Sequence, residues 1–330
     1  TLAMGQKIVI LDEPLANLDT AGAEMLMSTL KSLAKAGYCI VVIEHRLDVV
    51  LPFVDKVFHV GGKWVREIKD KESYLKEQSV KISDSCAVFC GGQPVFSLSD
   101  VAFSVKDRVI LNGVAFDILK GSRTVLFGEN GCGKTTLLRL ISRLEKPTRG
   151  VILQNISGKF GQKSKQSKKW YKKVGVVYQN PDYQLFMPTV EKEIKFGAKS
   201  DEYADEIAEK FGVKHLYVRH PQSLSEGQKR RVSIAAVVAT APEVLILDEP
   251  TVGQDYKGLC EMTEILNRIH EETKNTMITV THDKRCAAAL CDRAVWIKDG
   301  KVRKTGGKEL AEEFFKDPTG NAKKLASDNF

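Results

Sequence analysis

The pattern of hydrophobic and polar positions contains two short apolar runs that each end in a pair of acids. Residues 7–13 read KIVILDE and residues 244–249 read VLILDE, and a proline follows each run. Such a run is typical of a strand buried in a parallel sheet. A helical stretch follows each, and then a second apolar run that ends in His45 (IVVIEH) or in His282 (MITVTH). This order predicts a parallel α/β sheet in both parts of the chain.

The two parts are copies of one unit, because the agreement continues beyond the strands. Each copy has a further acid after the proline, Asp19 in LANLD and Asp255 in TVGQD, and the closing segments DKVFHVGGKWVRE and DRAVWIKDGKVRK are similar. We expect the first copy, residues 1–67, to be the C-terminal part of an incomplete domain whose apolar strands expose one face. We expect the second copy to belong to a complete domain over residues 94–312.

The remaining segments are assigned from composition and period. Residues 68–93 mix charge, Ser and Gly and are expected to be a linker with a short helical piece, and residues 313–330 are expected to be a tail. Alternating apolar positions over residues 96–120 predict an antiparallel hairpin. Residues 189–222 are expected to be helical, with a break at Pro221.

A glycine-rich stretch, LFGENGCGKTTL at residues 126–137, lies between a predicted strand and a predicted helix. Gly128, Gly133, Lys134 and Thr135 fit the pattern G-x-x-x-x-G-K-[ST], which lets successive backbone N–H groups point into one hollow at the positive end of a helix. Lys134 is expected to reach the β- and γ-phosphates of a nucleotide, and the Thr135 hydroxyl to bind Mg²⁺. The alternative is a glycine turn without a ligand, which the flanking strand and helix make the weaker interpretation.

The acids at the end of the second strand suggest the chemistry. Asp248 is placed to hold Mg²⁺ through water, and Glu249 to orient or deprotonate an attacking water. Helix capping is an alternative for one of these acids, but not for both. His282 is expected to contact the γ-phosphate, and Gln179, after the strand VGVVYQ, to sense Mg²⁺ or water.

A second anion site is predicted where LSEGQ opens a helix, with the Ser225 hydroxyl and the Gly227 N–H group facing the ligand.

Amino-acid composition and charge limit the class of protein to which the chain can belong. The chain has 330 residues, 43% of them hydrophobic and 28% charged, and it contains no apolar run of about 18 residues that could span a membrane. Seven scattered Cys fit a reducing cytoplasm, and the pair Cys86 and Cys90 lacks the second pair that a zinc site needs. The net charge of +8 is compatible with binding of nucleic acid, with binding of anionic lipid or with simple solubility.

Seven Lys in residues 159–173 favour a solvated loop over a nucleic-acid patch, with Trp170 and Tyr171 packed at its end.

Taken in order, residues 128–135, Gln179, residues 224–228, residues 244–249, Asp255 and His282 resemble the motifs of an ATP-binding-cassette (ABC) ATPase. The resemblance implies a P-loop NTPase fold with a mixed sheet, an antiparallel β subdomain and a helical subdomain, and the cofactors ATP and Mg²⁺. It implies nucleotide contacts from Gly128, Glu129, Asn130, Gly131, Cys132, Gly133, Lys134, Thr135, Thr136, Ser225, Gly227, Gln228 and Asp255. It implies catalytic roles for Glu249, His282 and Gln179, metal contacts from Thr135, Gln179 and Asp248, and first-copy counterparts at Asp12, Glu13, Asp19 and His45. In this family two domains sandwich two ATP molecules.

Three shorter stretches, QNPDYQLF, IEHRLDVV and LSEGQKRR, are similar to those of the fused ATPases of energy-coupling-factor transporters. This implies ATP hydrolysis that powers import of a vitamin, a vitamin precursor, or cobalt or nickel, at the cytoplasmic face of the membrane. The implied partners are a transmembrane coupling protein docked around residues 179–197, a separate substrate-binding membrane subunit, and a second ABC domain in cis or from another copy, with no nucleic acid. The alternatives are a soluble tandem ABC ATPase acting on ribosomes or nucleic acid, and an ATP-binding protein without turnover.

Several positions depart from the family pattern. Glu226 replaces a Gly of the LSGGQ stretch, Val105 stands where an aromatic residue commonly stacks on adenine, and Leu15 stands where the second copy has Thr251. In this family each ATP is held between the phosphate loop of one domain and the LSGGQ-type stretch of the other. Neither of these two-domain ATP sites is expected to close within this sequence, so hydrolysis is expected to need a longer chain or two paired second units. Cys132 is expected to be a small filler of the phosphate loop. A sharper hypothesis is that the helix N-terminus lowers the pKa of its thiol, so that alkylation blocks ATP.

Overall fold

The structure, a computed structural model, describes residues 6–15, 18, 20–77, 92–156, 159–161 and 168–316. Two compact units make up the chain: the first is Thr1–Lys81 with Gly253–Lys257, and the second is Ile82–Val252 with Gly258–Phe330. The domain boundaries expected at residues 67, 93 and 312 stay a prediction. Several expectations fall outside the described residues: those for Asp19, for Cys86 and Cys90, for most of the linker, for residues 162–167 and for most of the tail.

The first unit contains two strand pairs and three helices in its described residues. In chain order they are β1 (Ile8–Asp12), α1 (Thr20–Lys35), β2 (Cys39–Ile43), α2 (Leu47–Val50), β3 (Phe58–Gly61), β4 (Trp64–Glu67) and α3 (Lys71–Glu77). Strands β1 and β2 are parallel, as expected, and β3 and β4 are antiparallel. The apolar side of α1, with Ala23, Met27 and Leu30, forms a core with Leu15 and Val49.

Only one face of the β1–β2 sheet is buried. Val9 is 4% exposed, whereas its neighbours Ile8 and Ile10 are 64% and 67% exposed. On β2, Val41 and Ile43 are also exposed. Side chains alternate between the faces of a strand, so these four share one open apolar face, as the sequence predicted.

The second unit combines a mixed sheet, an antiparallel sheet and a set of helices. Its strands are β5 (Pro94–Val105), β6 (Arg108–Leu119), β7 (Arg123–Phe127), β8 (Arg149–Ile156), β9 (Lys159–Gly161), β10 (Val174–Val177), β11 (Val244–Asp248), β12 (Thr276–Val280), β13 (Arg293–Lys298) and β14 (Lys301–Gly306). Its helices are α4 (Lys134–Ile141), α5 (Lys168–Tyr171), α6 (Val190–Lys195), α7 (Asp201–Lys210), α8 (Glu226–Ala239), α9 (Tyr256–Thr273), α10 (Lys284–Ala289) and α11 (Lys308–Lys316). Two short 3₁₀ turns lie at Pro181–Tyr183 and Pro221–Ser223.

The mixed sheet has the order β10-β11-β12-β7-β13-β14, in which only the last pair is antiparallel. All residues of β7, β11 and β12 are buried, since apolar side chains of these strands pack on both faces. Leu245 and Met277 face a core shared with α8 and α9, while Ile246 and Ile278 face a core shared with α4 and the antiparallel sheet. The antiparallel sheet has the order β6-β5-β8-β9 and contains the predicted hairpin, β5–β6.

The lysine-rich stretch differs from the sequence expectation at both ends. Lys159–Gly161 pairs with β8, and Lys168–Tyr171 is helical, so neither end is a plain loop. The predicted packing of Trp170 is confirmed: its ring is buried, its Nε1–H donates to Gln154 at 2.8 Å, and the Arg143 guanidinium lies 4.8 Å from the ring centroid. Tyr171 is 45% exposed, so this ring is only half covered.

Candidate active site

The predicted site residues follow the carboxyl ends of neighbouring parallel strands. Gln179 follows β10, Asp248 ends β11 and Glu249 follows it, His282 follows β12, and Gly128 follows β7. Because parallel strands end at the same edge of a sheet, these residues lie along the edge where ligands bind in α/β folds.

The phosphate loop connects β7 to α4. Gly133, at φ +105°, precedes the first helical residue, and no side chain caps the helix there, so the N–H groups of the first turn are available to an anion. The Lys134 ammonium is almost buried and donates to the carbonyl oxygens of Gly128, at 2.8 Å, and Glu129, at 2.9 Å. It therefore lies inside the curve of the loop. A Cβ on Gly128 would lie 2.1 Å from the carbonyl oxygen of Ile297, so only glycine fits where the loop passes β13.

Asn130 and Gly131 are exposed at the tip of this loop, and Thr136 is half-buried in the first turn of α4.

The hypothesis of an acidic Cys132 thiol is wrong. Cys132 is 7% exposed and packs in the core shared by α4 and the antiparallel sheet. Burial raises the pKa of its thiol, and the nearby Lys134 ammonium lowers it by less. The structure favours the simpler interpretation, in which a small side chain fills this position of the loop.

Asp248 and Thr135 fit a divalent cation. The Asp248 carboxylate is 5% exposed, and burial together with the neighbouring Glu249 raises its pKa to about 6, while a hydrogen bond from the Thr135 side chain opposes the shift. Its Oδ1 atom is buried and has no hydrogen-bond partner among the described residues. A buried carboxylate oxygen is costly unless a donor or a cation compensates it, and oxygen ligands of this kind are those that Mg²⁺ prefers.

Glu249 and His282 form a pair that the sequence analysis did not predict. The His282 Nδ1 atom lies 2.7 Å from Glu249 Oε1, and the His282 backbone N–H donates to Oε2 at 3.3 Å. The His282 side chain is only 12% exposed and the Glu249 side chain only 7%. Glu249 has a left-handed backbone, φ +51°, and its N–H donates to the Val280 carbonyl at 2.9 Å. His282 thus contacts both oxygens of the carboxylate, while β12 holds the Glu249 backbone, an arrangement that suits a general base for water.

The first copy repeats this arrangement more openly. Glu13 also has a left-handed backbone, φ +44°, and its N–H donates to the Ile43 carbonyl at 2.9 Å. His45 lies 3.3 Å from Glu13 through Nε2, with both side chains more than a third exposed. Asp12, the counterpart of buried Asp248, is exposed.

The LSEGQ stretch begins α8. The Ser225 hydroxyl accepts from the Gln228 N–H at 3.3 Å, and the Gln228 side chain accepts from the Ser225 N–H at 3.2 Å, which forms a capping box. Gly227 is in the first turn, and Asp255 is exposed just before α9. The two bonds of the capping box stay within the first turn of α8 and do not reach the phosphate loop.

Sequence reasoning missed two cations of α8. Arg230 is 3% exposed and donates to the backbone carbonyls of Tyr178, at 2.7 Å, and of Gln179. Lys229, also almost buried, contacts Asp182. The available signal was the run of three adjacent cations, Lys229, Arg230 and Arg231, near the start of the helix.

A phosphate loop, a buried acid pair at the strand ends and a capped LSEGQ helix together define an ABC-type ATPase domain. A family model described as ABC transporter matches residues 111–252. The ATP-binding protein EcfA2 of an energy-coupling factor transporter from Enterococcus faecalis is 41% identical over 205 residues, which cover 57% of this chain and 69% of that protein. The chain belongs to the ABC transporter family of ATP-binding proteins, and the expected fold class is confirmed.

Two further comparisons extend beyond the single domain or add a structure. A putative HMP/thiamine import ATP-binding protein, YkoD of Bacillus subtilis, is 31% identical over 340 residues, which cover 90% of this chain but 61% of that protein. The chain therefore spans about three fifths of that relative's length. The solved structure of CbiO1 from Clostridium perfringens, described as part of the ABC transporter complex CbiONQ, is 32% identical with a TM-score of 0.59, and the match covers 68% of this chain and 91% of that one. Among the described residues, no helix has the length and apolar character to cross a bilayer.

Proposed function

We propose that this chain binds Mg·ATP at residues 128–136, hydrolyses it, and supplies the energy for a membrane importer of the energy-coupling-factor type. The observation that carries the hydrolytic part is the buried pair of Glu249 and His282 beside Asp248, at the strand edge that also holds the phosphate loop. A carboxylate positioned by an imidazole, next to a site for a metal-bound triphosphate, fits phosphoryl transfer to water.

Each side chain has a distinct task in this proposal. Lys134 and the first N–H groups of α4 bind the phosphates, while the Thr135 hydroxyl and Asp248 hold Mg²⁺, which neutralises phosphate charge when bound. Glu249 orients the attacking water and accepts its proton, and His282 keeps the Glu249 carboxylate in place and faces the terminal phosphate.

Gln179, which follows the neighbouring strand β10, contacts the metal ion or the attacking water. Ser225, Gly227 and Gln228 contact nucleotide held by a second ABC domain, with Asp255 at the same boundary. That second domain comes from the same protein or from another copy. Asp12, Glu13, Asp19 and His45 have the corresponding roles in the first copy.

The transport part is supported by the relatives and by one surface. EcfA2 and CbiO1 are named as parts of transporters, and YkoD as an import protein. In this chain Tyr183 is 81% exposed and Phe186 67% exposed, on the segment that follows Gln179. Exposed aromatic side chains in one short segment suit docking of a transmembrane coupling protein. The chain would then act as a peripheral subunit at the cytoplasmic face, and a separate membrane subunit would bind the vitamin, vitamin precursor or metal ion.

The domain organisation is part of the same proposal. Residues 1–67 correspond to the C-terminal part of a first ABC domain, residues 68–93 to a linker, residues 94–312 to a second domain and residues 313–330 to a tail. The support is the repeat of strand, acid, helix and histidine, and the shared left-handed Glu13 and Glu249.

Substitution of the proposed base tests hydrolysis. Glu249→Gln keeps the size of the side chain but cannot accept the proton, so we expect turnover of Mg·ATP to fall about a hundredfold or more while ATP stays bound. Phosphate release and retained radiolabelled ATP are the measurements. Glu243→Gln is the control, because Glu243 pairs with Lys173 at the surface and is expected to leave turnover unchanged. Equal turnover in Glu249→Gln and the unaltered chain would remove Glu249 from its role.

Co-purification tests the transport part. The chain, expressed with the membrane proteins of its source and extracted in detergent, is expected to retain a small hydrophobic membrane protein, and Phe186→Ser is expected to weaken that association. ATPase activity that depends on added ribosomes, with no membrane partner retained, would instead support the soluble alternative.

A further inference from the structure

Side chains from both elements attach α8 to the segment that carries Gln179. Besides the Arg230 bonds to the carbonyls of Tyr178 and Gln179, the Gln184 side chain donates to the Ser233 carbonyl at 3.0 Å. The ammonium of Lys229 contacts Asp182 at 2.9 Å. The contacts on α8 lie within about one turn of the helix, directly after LSEGQ.

The contact between Lys229 and Asp182 joins two side chains, so it can be removed without altering a hydrogen bond to the backbone. Its side chain is only 9% exposed, and its Nζ atom also lies 3.2 Å from Glu226 Oε1 in the first turn of the same helix. The hydrogen bond with Asp182 is the largest cause of a raised pKa of the Lys229 ammonium, so the group stays charged at neutral pH. A charge-assisted bond made by a nearly buried ammonium is stronger and shorter than a bond between neutral groups.

Asp182 is in turn fixed to Gln179 by local structure. Asp182 lies in the 3₁₀ turn Pro181–Tyr183, and its N–H donates to the Asn180 side chain, which caps the turn, at 2.8 Å. Proline at the first position of this turn restricts the backbone further. The turn therefore links Asp182 to Asn180 and Gln179, and Lys229 holds Asp182 against α8, in addition to the Arg230 bonds to the carbonyls of Tyr178 and Gln179.

We propose that Lys229 is a positioning residue which, by holding Asp182, keeps the Gln179 segment and the LSEGQ helix in one rigid arrangement. The inference rests on the proposed function, because Gln179 and Ser225 are assigned there to the nucleotide. It adds a mechanical link that the motifs themselves do not contain. Tyr183 and Phe186 are on the same segment, so a partner bound there would act on LSEGQ through this ion pair together with the Arg230 and Gln184 bonds.

Kinetics of the full chain provide the first test. Lys229→Gln and Asp182→Asn each remove one partner, and we expect kcat for Mg·ATP to fall about tenfold, because the groups that act at the transition state are misplaced. The KM should stay within about twofold, since the phosphate loop is untouched. The double variant should be no slower than either single variant, and Lys229→Arg, which keeps the cation, should retain at least half of kcat.

Lys214→Gln is the matched control. Lys214 pairs with Glu209 at 2.5 Å, and neither residue is on α8 or on residues 178–186. Its kcat should equal that of the unaltered chain. Three results would overturn the proposal: an unchanged kcat in Lys229→Gln, multiplied losses in the double variant, or a Lys229→Arg chain as slow as Lys229→Gln.

Hydrogen exchange of the nucleotide-free chain separates this proposal from the proposed function. Asp182→Asn changes a half-exposed side chain in a surface turn, and we expect faster amide exchange both in residues 179–186 and in residues 225–230, with β11 unchanged. Faster exchange in residues 179–186 alone would show that the pair stabilises only its own turn, and the inference would fail. The hydrogen-exchange measurement gives a result even if the chain shows no turnover of ATP. An absence of turnover would reject the proposed function and not this inference.

Discussion

Glu249 and Glu13 share an uncommon backbone conformation, and this is the most informative detail at the scale of single residues. A positive φ at a non-glycine residue costs about 1 kcal/mol or more, and such residues occur often at active sites. Here each glutamate is held by a hydrogen bond from its own N–H group to the neighbouring strand, at 2.9 Å in both copies. The conformation turns the carboxylate away from the strand direction and towards the histidine that follows that strand.

The burial of Cys132 predicts slow chemistry at its thiol. Only the thiolate reacts with alkylating reagents, and burial both raises the pKa of this thiol and blocks access to it. With iodoacetamide at pH 8, we expect Cys132 to react at least about tenfold more slowly than exposed Cys39. Mass spectrometry of peptides over time gives both rates. In denaturant the two should become similar, and a fast Cys132 in the folded chain would contradict the structure.

Glu193 predicts a pH-dependent stability. Its side chain is buried and accepts from the N–H groups of Phe186, at 2.9 Å, and Met187, at 2.7 Å. Burial raises the pKa of the carboxyl, while the two hydrogen bonds lower it by less. A carboxyl whose pKa is higher in the folded state loses its stabilising contribution as pH rises through that pKa.

The change Glu193→Gln removes this loss, because the amide cannot ionise and its oxygen can accept the same two bonds. The free energy of unfolding of Glu193→Gln minus that of the unaltered chain is therefore expected to be more positive at pH 7.5 than at pH 4, so that the variant is relatively more stable at the higher pH. Urea unfolding at both values measures it. A difference that is the same at both pH values, or larger at pH 4, would show that the buried carboxylate is not penalised.

At the scale of elements, local patterns predicted what depends on local sequence. Strands β1, β2, β11 and β12 and the β5–β6 hairpin followed from apolar period, and the phosphate loop followed from its glycines. The ends of the lysine-rich stretch were missed, because β9 forms by pairing with β8 and α5 packs its Trp170 against Gln154 and Arg143. The Glu249–His282 pair was missed for the same reason: its members lie 33 residues apart and meet only because β11 and β12 are neighbours.

The contact between the phosphate loop and β13 predicts different effects for two glycines. Gly128 and Gly131 both have positive φ. A Cβ on Gly128 would meet the Ile297 carbonyl at 2.1 Å, whereas a Cβ on Gly131 would meet no atom of the described part of the chain within 4 Å. We expect Gly131→Ala to destabilise the chain by about 1–2 kcal/mol, the cost of a left-handed alanine. Gly128→Ala should cost more and should also weaken binding of ATP, because the loop must move away from β13. Denaturant unfolding and nucleotide titration compare the two, and equal effects would contradict the close approach.

At the scale of the whole molecule, the two copies have the same strands in different surroundings. Ile10 of β1 pairs with Val41 of β2, and the equivalent residues of the second copy, Ile246 of β11 and Ile278 of β12, pair with each other. Ile246 and Ile278 are fully buried against α4 and the antiparallel sheet, whereas Ile10 and Val41 are exposed. The repeat was predictable from sequence, but the difference in cover was predictable only in outline, since burial depends on what packs above the sheet.

The aligned isoleucines therefore provide a matched pair of substitutions. Ile246→Ala removes side-chain contacts from a closed core and is expected to cost about 2–5 kcal/mol, while Ile10→Ala removes exposed atoms and is expected to change the free energy by less than about 0.5 kcal/mol. Because the chain has two compact units, hydrogen exchange of β11 and of β1 is a better measure than a single melting curve. A large loss of protection in β1 with Ile10→Ala would mean that this face is covered in solution. Concentration dependence of the exchange would then show whether a second copy of the chain covers it.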